Sequence, residues 1–521
     1  MKSRTLILAT AIALLTVLVL SIPVAAQRIR YKLIDIGTFG GPASYFTSPG
    51  IGPGSLVLNN RGMIAGKADT PIPDPNGPDP NSCAVPSCFD THVFRWNKGS
   101  LTELGTLPGG RSSDVGGINA RGWIAGGSER GEIDPATGAR VNHAVLWKGN
   151  EIVDLGTLGE GLNSVALQVN NGGQVVGIST INIAPDPFGF AGGSIHPFLW
   201  QNGVMQDLGT LGGPDAFAFP GCGTQRNNLV TGFSLIDEVV NPTTGFPTVH
   251  PFLWEDGNMI DLGTLGGTTV AQDPGSCVNN RGQVAGASTL PGDSILHPFL
   301  WEHGVLTDLG TLGGDFGLVW WLNDAGDVVG GTSTAGEEFF HATLWRKGVI
   351  QDLGTLEGDC FSFAGAISSH DQIVGASFAC DGSLARAVTW DKGSIVDLNS
   401  VIPENSNLQL VEARYINNQG EIAGRGLPHG CDDLDGCGHD FLLIPCDNTT
   451  TCESDTGATT AETRNNAVVM TKTPSIPTPI HRTPMQRLAA WRAQLEQRLS
   501  PSWRAGMAQR YHMPGLGAPK D

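Results

Sequence analysis

The chain has 521 residues, 72 of them Gly, with 16% charged residues and a formal net charge of −19. That length supports a large core, and high Gly with regular short hydrophobic runs favours an all-β array with many tight turns over a helical protein. Setting aside the +2 of the first 26 residues and the +4 of the residues after Cys452 leaves −25 on residues 27–452, a body that repels phosphate backbones and excludes nucleic acid as an expected partner.

Residues 1–26 read as a secretory signal peptide. Lys2 and Arg4 supply the positive start, Leu6 to Leu20 the apolar region, and Val24-Ala25-Ala26 a small-residue cleavage site before Gln27. The alternative, an uncleaved anchor, needs about 20 apolar residues, and this run is shorter. The expected location is secreted, extracellular or at the cell surface, with the periplasm as a variant of the same export. The ten cysteines are an even number, which in an exported protein suggests disulfides.

From residue 31 onward three signatures alternate. DLGTLGG-like segments begin at Asp35, Glu103, Asp154, Asp207, Asp261, Asp308 and Asp352, with a worn copy, DLNSV, at Asp397. Between them come turns of the NNxGxVxG type, at Asn59, Asn119, Asn170, Asn227, Asn279, Asn323, Ser368 and Asn417. HxFLW-like segments follow at His92, His143, His196, His250, His297, His341, Arg386 and His439. The spacing tightens from about 68 to about 45 residues, the period range of a propeller or related array.

Each unit predicts four short strands. Strand a ends at the Asn pair (Ala166–Val169), strand b follows it (Gln174–Ile178), strand c is HxFLW, and strand d runs into DLG (Val204–Leu208). Asn-Asn-x-Gly between a and b is hairpin turn chemistry, since Asn and Gly tolerate positive φ. The first DLG element stands before any NNxG, and the last unit ends at HDFLLIP with no DLG after it. Tyr31 to Ile36 therefore supplies the missing strand d of the last unit and closes the ring without free sheet edges at the join. The expected fold is an all-β propeller of four-stranded antiparallel blades, eight in number, or seven if the worn last unit is no blade.

The recurring HAFLW-like and DLGTLGG segments over residues 31–445 resemble the HAF repeat of probable extracellular bacterial proteins. The resemblance implies export and a repeat fold; it implies no activity.

The cysteines suggest a pairing. Cys360 and Cys380 lie almost opposite each other across an a–b hairpin, and Cys222 and Cys277 precede the Asn pairs of consecutive units. Cys83 with Cys88, Cys431 with Cys437 and Cys446 with Cys452 would each close a small loop, with free buried thiols as the alternative. One His per unit, spread around a ring, cannot converge on one metal or substrate, so the repeat histidines are expected to hydrogen-bond within their blade, to the Thr or Asp of DLGT. TLGG lacks the Lys and Ser/Thr of a P-loop and reads as an interblade turn.

Function is expected where the repeats differ. The variable insertions, Lys67–Thr91, Gly127–Asn142, Ser179–Ile195, Phe233–Val249 and Arg425–Gly438, all follow strand b, which puts every long loop on one face. The first and last are acidic, hold Cys pairs and belong to units that are neighbours in a closed ring. They suggest a calcium site from Asp432, Asp433 and Asp435 with Asp74 and Asp79, though the match to an EF-hand loop is poor and a solvated, disulfide-stapled loop explains the same residues. Trp320 and Trp321, with Phe188, Phe190 and Phe246 in the insertions, are candidate sugar-binding aromatics; a filled inner strand is the alternative for the Trp pair. No catalytic residue and no other cofactor is assigned.

Residues 453–483 read as a disordered Thr/Pro-rich linker. Residues 484–521 form a basic tail with a short amphipathic helix carrying Leu488, Trp491, Leu495 and Leu499. Through it alone a membrane contact is expected. The sequence points first to a secreted, monomeric, non-catalytic binding protein for a glycan or protein at the cell surface. An extracellular polysaccharide hydrolase or lyase is the second reading and a purely structural surface protein the third.

Overall fold

In the computed structural model the described residues are 29–46, 56–75, 77, 83, 85–135, 140–183, 193–219, 221–222, 229–241, 247–270, 276–336, 339–381, 384–446 and 452. The expected signal peptide, linker and basic tail lie outside them. No helix among them is long and apolar enough to cross a membrane.

The described residues form a β-propeller built of four-stranded antiparallel units. Five sheets have four strands each, and a twelve-stranded sheet is three such meanders joined edge to edge. Unit 3 shows the pattern: Ser164–Val169, Val175–Thr180, Ile195–Gln201 and Val204–Asp207 follow one another as strands a to d. Numbered in chain order, the last unit is unit 8, comprising Leu408–Ile416, Ile422–Pro428 and His439–Pro445. Its strand d is Tyr31–Asp35, paired antiparallel to His439–Pro445 with Tyr31 opposite Pro445. The two ends of the repeat array thus share one sheet, and no edge is left open at the join.

The core lies between successive sheets. The Phe and Trp of HxFLW fill it, Phe94, Phe198, Phe252 and Trp147 being almost fully buried. The last Gly of NNxGxVxG makes room for that Phe: a Cβ on Gly177 would sit 2.5 Å from Cζ of Phe198 and 2.2 Å from the Val165 carbonyl. DLGTLGG carries the chain into the next unit. Thr210 donates through Oγ1 to the Gly213 carbonyl (2.7 Å), and the Leu211 N–H donates to Ser234 Oγ of the following unit (2.9 Å). TLGG is an interblade turn.

The Asn of NNxG does more than turn the chain. Asn119 accepts at Oδ1 from the N–H groups of Arg121 (2.9 Å) and Trp123 (3.0 Å), which fixes its own turn. Its Nδ2 donates to the carbonyl of Asn170, the equivalent residue of the next unit (2.9 Å). The same step runs from Asn59 to Asn119 (2.8 Å), from Asn279 to Asn323 (2.9 Å) and, across the ring closure, from Asn417 to Asn59 (3.0 Å).

The insertions differ from the expectation of loops alone. Strand b is drawn out into the insertion in three units, as Ile64–Pro73, Ile124–Ile133 and Leu229–Val240, with strand c returning as Phe89–Asn97, Arg140–Lys148 and Pro247–Glu255. Backbone pairing continues past a bulge in each, as at Val240 opposite Pro247, because an extended hairpin satisfies backbone groups that a bare loop would leave to water. The described part of strand a in unit 1 is Ser44–Tyr45 plus a bridge from Leu58 to Ile64, with residues 47–55 outside the described residues.

All five expected cysteine pairs are disulfides, with Cα–Cα separations of 5.2 Å (Cys83–Cys88 and Cys222–Cys277), 4.7 Å (Cys360–Cys380), 5.9 Å (Cys431–Cys437) and 5.7 Å (Cys446–Cys452). Five disulfides belong to an oxidising compartment.

The Asn ring yields a first prediction. Asn119→Ala removes three hydrogen bonds at a fully buried site and leaves the Asn170 carbonyl without its side-chain donor. It is expected to destabilise the fold by about 2–4 kcal/mol, read as a lower midpoint in urea unfolding. An unchanged midpoint would mean the ring contributes nothing.

Candidate functional site

The repeat histidines are joined to the repeat acids, as expected. His196 Nδ1 lies 2.9 Å from both carboxylate oxygens of Asp207, His143 lies 2.8 Å from Asp154, and His439 lies 3.0 Å from Asp35, which is 404 residues away along the chain. Burial raises the Asp207 carboxyl, but the His196 hydrogen bond, the Gly209 amide and the His196 charge together outweigh it, so the net pKa falls below the ordinary value. These pairs ring the fold and staple strand c to strand d. Unit 7 departs from the rule: Arg386 stands in place of His and pairs with Asp359 (2.8 Å).

A second departure is concentrated where the ring closes. The residue after the Gly of strand b is Lys67 in unit 1 and Arg425 in unit 8, where other units have Gly, Ala, Ile or Phe. The second position of HxFLW is Asp440 in unit 8, where other units have Val, Ala or Pro. All three side chains are buried, Lys67 and Asp440 with no exposure at all. Lys67 Nζ pairs with Asp114 of unit 2 (3.2 Å). Arg425 pairs with Asp435 (3.0 Å) and lies over the Tyr45 ring at 5.1 Å. Tyr45 in turn donates from its hydroxyl to the Asp435 carbonyl (3.1 Å). Arg414 and Glu412 pair at 2.9 Å on strand a.

These charges do not balance pair by pair. Neither oxygen of Asp440 has a hydrogen bond of normal geometry. Burial pushes its carboxyl well above the ordinary range, against the pull of Arg425 and Arg414. Asp69 behaves alike: burial raises it to about 7, although Ser87, the Ala43 N–H, Lys67 and Arg425 all draw it down. Removing a carboxyl from water disfavours its charged form, and at both sites that cost outweighs the nearby cations. The seam is a sealed polar core.

What opens to solvent lies beside it. Between units 7 and 8, on the face carrying the b–c hairpins, is a groove of about 420 Å³ lined in part by Arg386, Asp397, Asn399, Gln409 and His429, with the Cys431 loop at its edge. The same face carries exposed apolar tips on the drawn-out hairpins, at Ile72, Ile133, Val239 and Val240.

The expected site residues fall as follows. Trp321 is buried, and Trp320 is half-buried, stacked on Phe363 at 5.5 Å and edge-on to Phe340 at 6.5 Å. Phe188, Phe190, Phe246 and Asp79 lie outside the described residues. Of the proposed calcium ligands, Asp435 is engaged by Arg425, Asp433 caps the short helix Leu434–Cys437, and Asp74 is buried near Cys88. Among the described residues no three His, Cys, Asp or Glu side chains are grouped to hold a metal ion. The groove and the seam were not anticipated. The signal for both was present as substitution within the repeat: Arg386 for His, Asp440 for Pro or Ala, Arg425 and Lys67 for small residues.

No family model matches the chain, and no curated protein matches it. Solved propellers are similar at about one residue in ten. The β-propeller domain of the Trilobed protease from Pyrococcus furiosus is 10% identical over 72% of this chain and 99% of its own, with a TM-score of 0.39. The acylaminoacyl peptidase of Pyrococcus horikoshii is 10% identical over 77% of this chain and 58% of its own, with a TM-score of 0.38. TolB from Acinetobacter baumannii is 10% identical over 62% of this chain and 79% of its own, with a TM-score of 0.30. The propeller assignment stands on the strand order and the ring closure described above.

The seam predicts a pH dependence. Asp69 and Asp440 both have folded pKa values above their unfolded ones, so their contribution to stability is complete below about pH 4 and is lost as pH rises; for Asp69 the loss is complete as pH passes through about 7. For Asp69 the shift corresponds to about 4 kcal/mol. Asp69→Asn, which keeps the acceptor facing the Ala43 N–H, is expected to unfold at a higher temperature than the parent at pH 8 and to narrow the gap at pH 5. Parallel melting curves for the two proteins across that range would refute it.

Proposed function

We propose that the protein is a secreted, non-catalytic binding protein whose hairpin-bearing face engages a glycan or a protein partner at the cell surface. The observation that carries this reading is the groove between units 7 and 8, an open cleft whose lining mixes an Arg, an Asp, a His and neutral hydrogen-bonding side chains on a rigid scaffold. Gln409, exposed at the groove, offers a donor and an acceptor of the kind sugar hydroxyls require, His429 adds an imidazole and Arg386 a guanidinium held in place by Asp359, while the Asn399 amide is engaged by Asp397 and Leu410. The apolar hairpin tips extend the same face as a contact surface. Five disulfides and the likeness of the repeats to the HAF repeat support export.

The alternative of a polysaccharide hydrolase or lyase would need a carboxyl of raised pKa facing the substrate. The carboxyls most strongly raised, Asp69 and Asp440, have no exposed surface, and neither lines the groove. They are placed to hold the seam and not to touch a ligand.

The test is a glycan array probed with the full chain, followed by Gln409→Ala and His429→Ala on any hit. Loss of a hydrogen bond of about 1.4 kcal/mol is expected to weaken binding about tenfold for each. A hit indifferent to both variants removes the groove, and release of shortened sugar products would turn the reading to an enzyme.

A further inference from the structure

The opposite face, where the a–b and c–d turns emerge, carries a concentration of positive charge in units 1 and 2 that the acidic composition hides. Arg61 and Arg121 occupy the third position of NNxG in consecutive units. Arg95 stands in HVFRW where most other units have Leu, and its Nη1 reaches across to the Gly149 carbonyl of unit 2 (3.4 Å). Lys98 sits exposed in the c–d turn of unit 1, and Lys148 ends strand c of unit 2. None of these five cations is held in an ion pair by a described carboxylate.

That is unusual for this face. At the position of Arg61 and Arg121, unit 5 has Arg281, paired with Glu302 (3.5 Å). At the position of Lys148, unit 6 has Arg346, paired with Asp327 (2.9 Å) and Asp371 (2.6 Å). In units 3 and 5 the residue following the turn is hydrogen-bonded to the end of strand c, Gln174 to Gln201 (3.0 Å) and Gln283 to Glu302 (3.0 Å). Unit 2 has Trp123 there instead. Lys148 Nζ lies 5.0 Å from the Trp123 ring and 5.8 Å from that of Trp200, and the Arg121 guanidinium lies 5.1 Å from Trp123. An indole orders a cation without neutralising it. Two carboxylates share this corner: Glu421, half-buried and bonded by Asn417, and Glu151, exposed on the outer strand.

We propose that this corner is a binding site for an acidic polysaccharide, a chain bearing carboxylate or sulfate groups on successive sugars. Positive side chains distributed over two units, two of them ordered on Trp123 and none held by a described carboxylate, suit a linear polyanion whose charges repeat along its length. The remaining body is acidic, which disfavours the denser charge of a nucleic acid duplex. The disulfides place the protein where anionic cell-surface and matrix polymers occur. The site is independent of the groove on the other face.

The experiment measures binding of the full chain to immobilised polygalacturonate, dextran sulfate, neutral dextran and duplex DNA over a range of salt concentrations. We expect retention by the two acidic glycans, falling steeply with salt, and none by neutral dextran. The variant Arg61→Gln/Arg121→Gln/Lys148→Gln should bind at least tenfold more weakly with an unchanged melting temperature. Should it melt lower, Arg61→Gln/Lys98→Asn, confined to exposed turns, should still weaken binding several-fold. Binding that survives the neutralised variants, equal retention by neutral dextran, tighter binding to DNA than to polygalacturonate, or no retention by any polyanion would each overturn the proposal.

Discussion

The ring depends on one side chain used twice. In units 1, 2, 5 and 8 the Asn that opens the NNxG turn accepts two backbone N–H groups of its own turn and donates to the carbonyl of the matching Asn in the next unit. A residue that merely favoured the turn, such as Gly, would do the first job and not the second. Because the donated bond runs unit to unit, these inner turns are positioned by their neighbours, and the step from Asn417 to Asn59 joins residues 358 apart. Closure is thus enforced near the axis by a small amide and at the rim by the strand Tyr31–Asp35 with its His439–Asp35 pair. Both rely on buried or half-buried hydrogen bonds whose loss strands a polar group, which makes them specific as well as stabilising.

Closure also explains where the interior stops being apolar. Two sequence ends that were not joined by a common repeat must fit together at units 8 and 1, and here the interface uses Lys67, Arg425, Asp440 and Asp69 in place of small and apolar residues. Replacing such a network by apolar side chains of similar volume is often neutral for stability. What a buried ion network adds is register: Lys67 reaches Asp114 in unit 2, and Arg425 ties strand b of unit 8 to the disulfide-closed loop through Asp435. A unit slipped by one position would leave these groups charged and unpartnered. The raised pKa of Asp440 is the cost of burying a carboxyl without hydrogen bonds in a sealed space.

Much of this was legible in the chain. The circular arithmetic of DLG, NNxG and HxFLW led to the closing strand, the one-His-per-unit spacing led to the His–Asp staples, and the positions of Cys360, Cys380, Cys222 and Cys277 led to their bonds. These features are local or strictly periodic, so spacing alone constrains them. The Asn ladder is not legible in the chain, because a residue that explains a turn gives no sign of a second partner 44 to 60 residues away. The drawn-out hairpins look like loops in the sequence, because their alternation is broken by Pro71, Pro73 and Gly131. Trp320 and Trp321 drew attention by size, and size by itself does not separate a side chain that fills an interblade gap from one that faces a ligand.

The residues that matter for binding are those that break the repeat, and the break can be read by position instead of by type. Arg386 is a cation where seven units have His, and it turns a staple into one wall of a groove. Trp123 stands where units 3, 5 and 7 have Gln, unit 6 has Asp and unit 8 has Glu, and Lys148 beside it is ordered by the ring and not by a described carboxylate. In a closed ring of near-identical units the scaffold is over-determined: one unit can lose its staple or its turn-end hydrogen bond while its neighbours hold the geometry. That redundancy lets the two faces diverge independently, a groove and apolar tips on one, unpaired cations on the other, without either change disturbing the Asn ring between them.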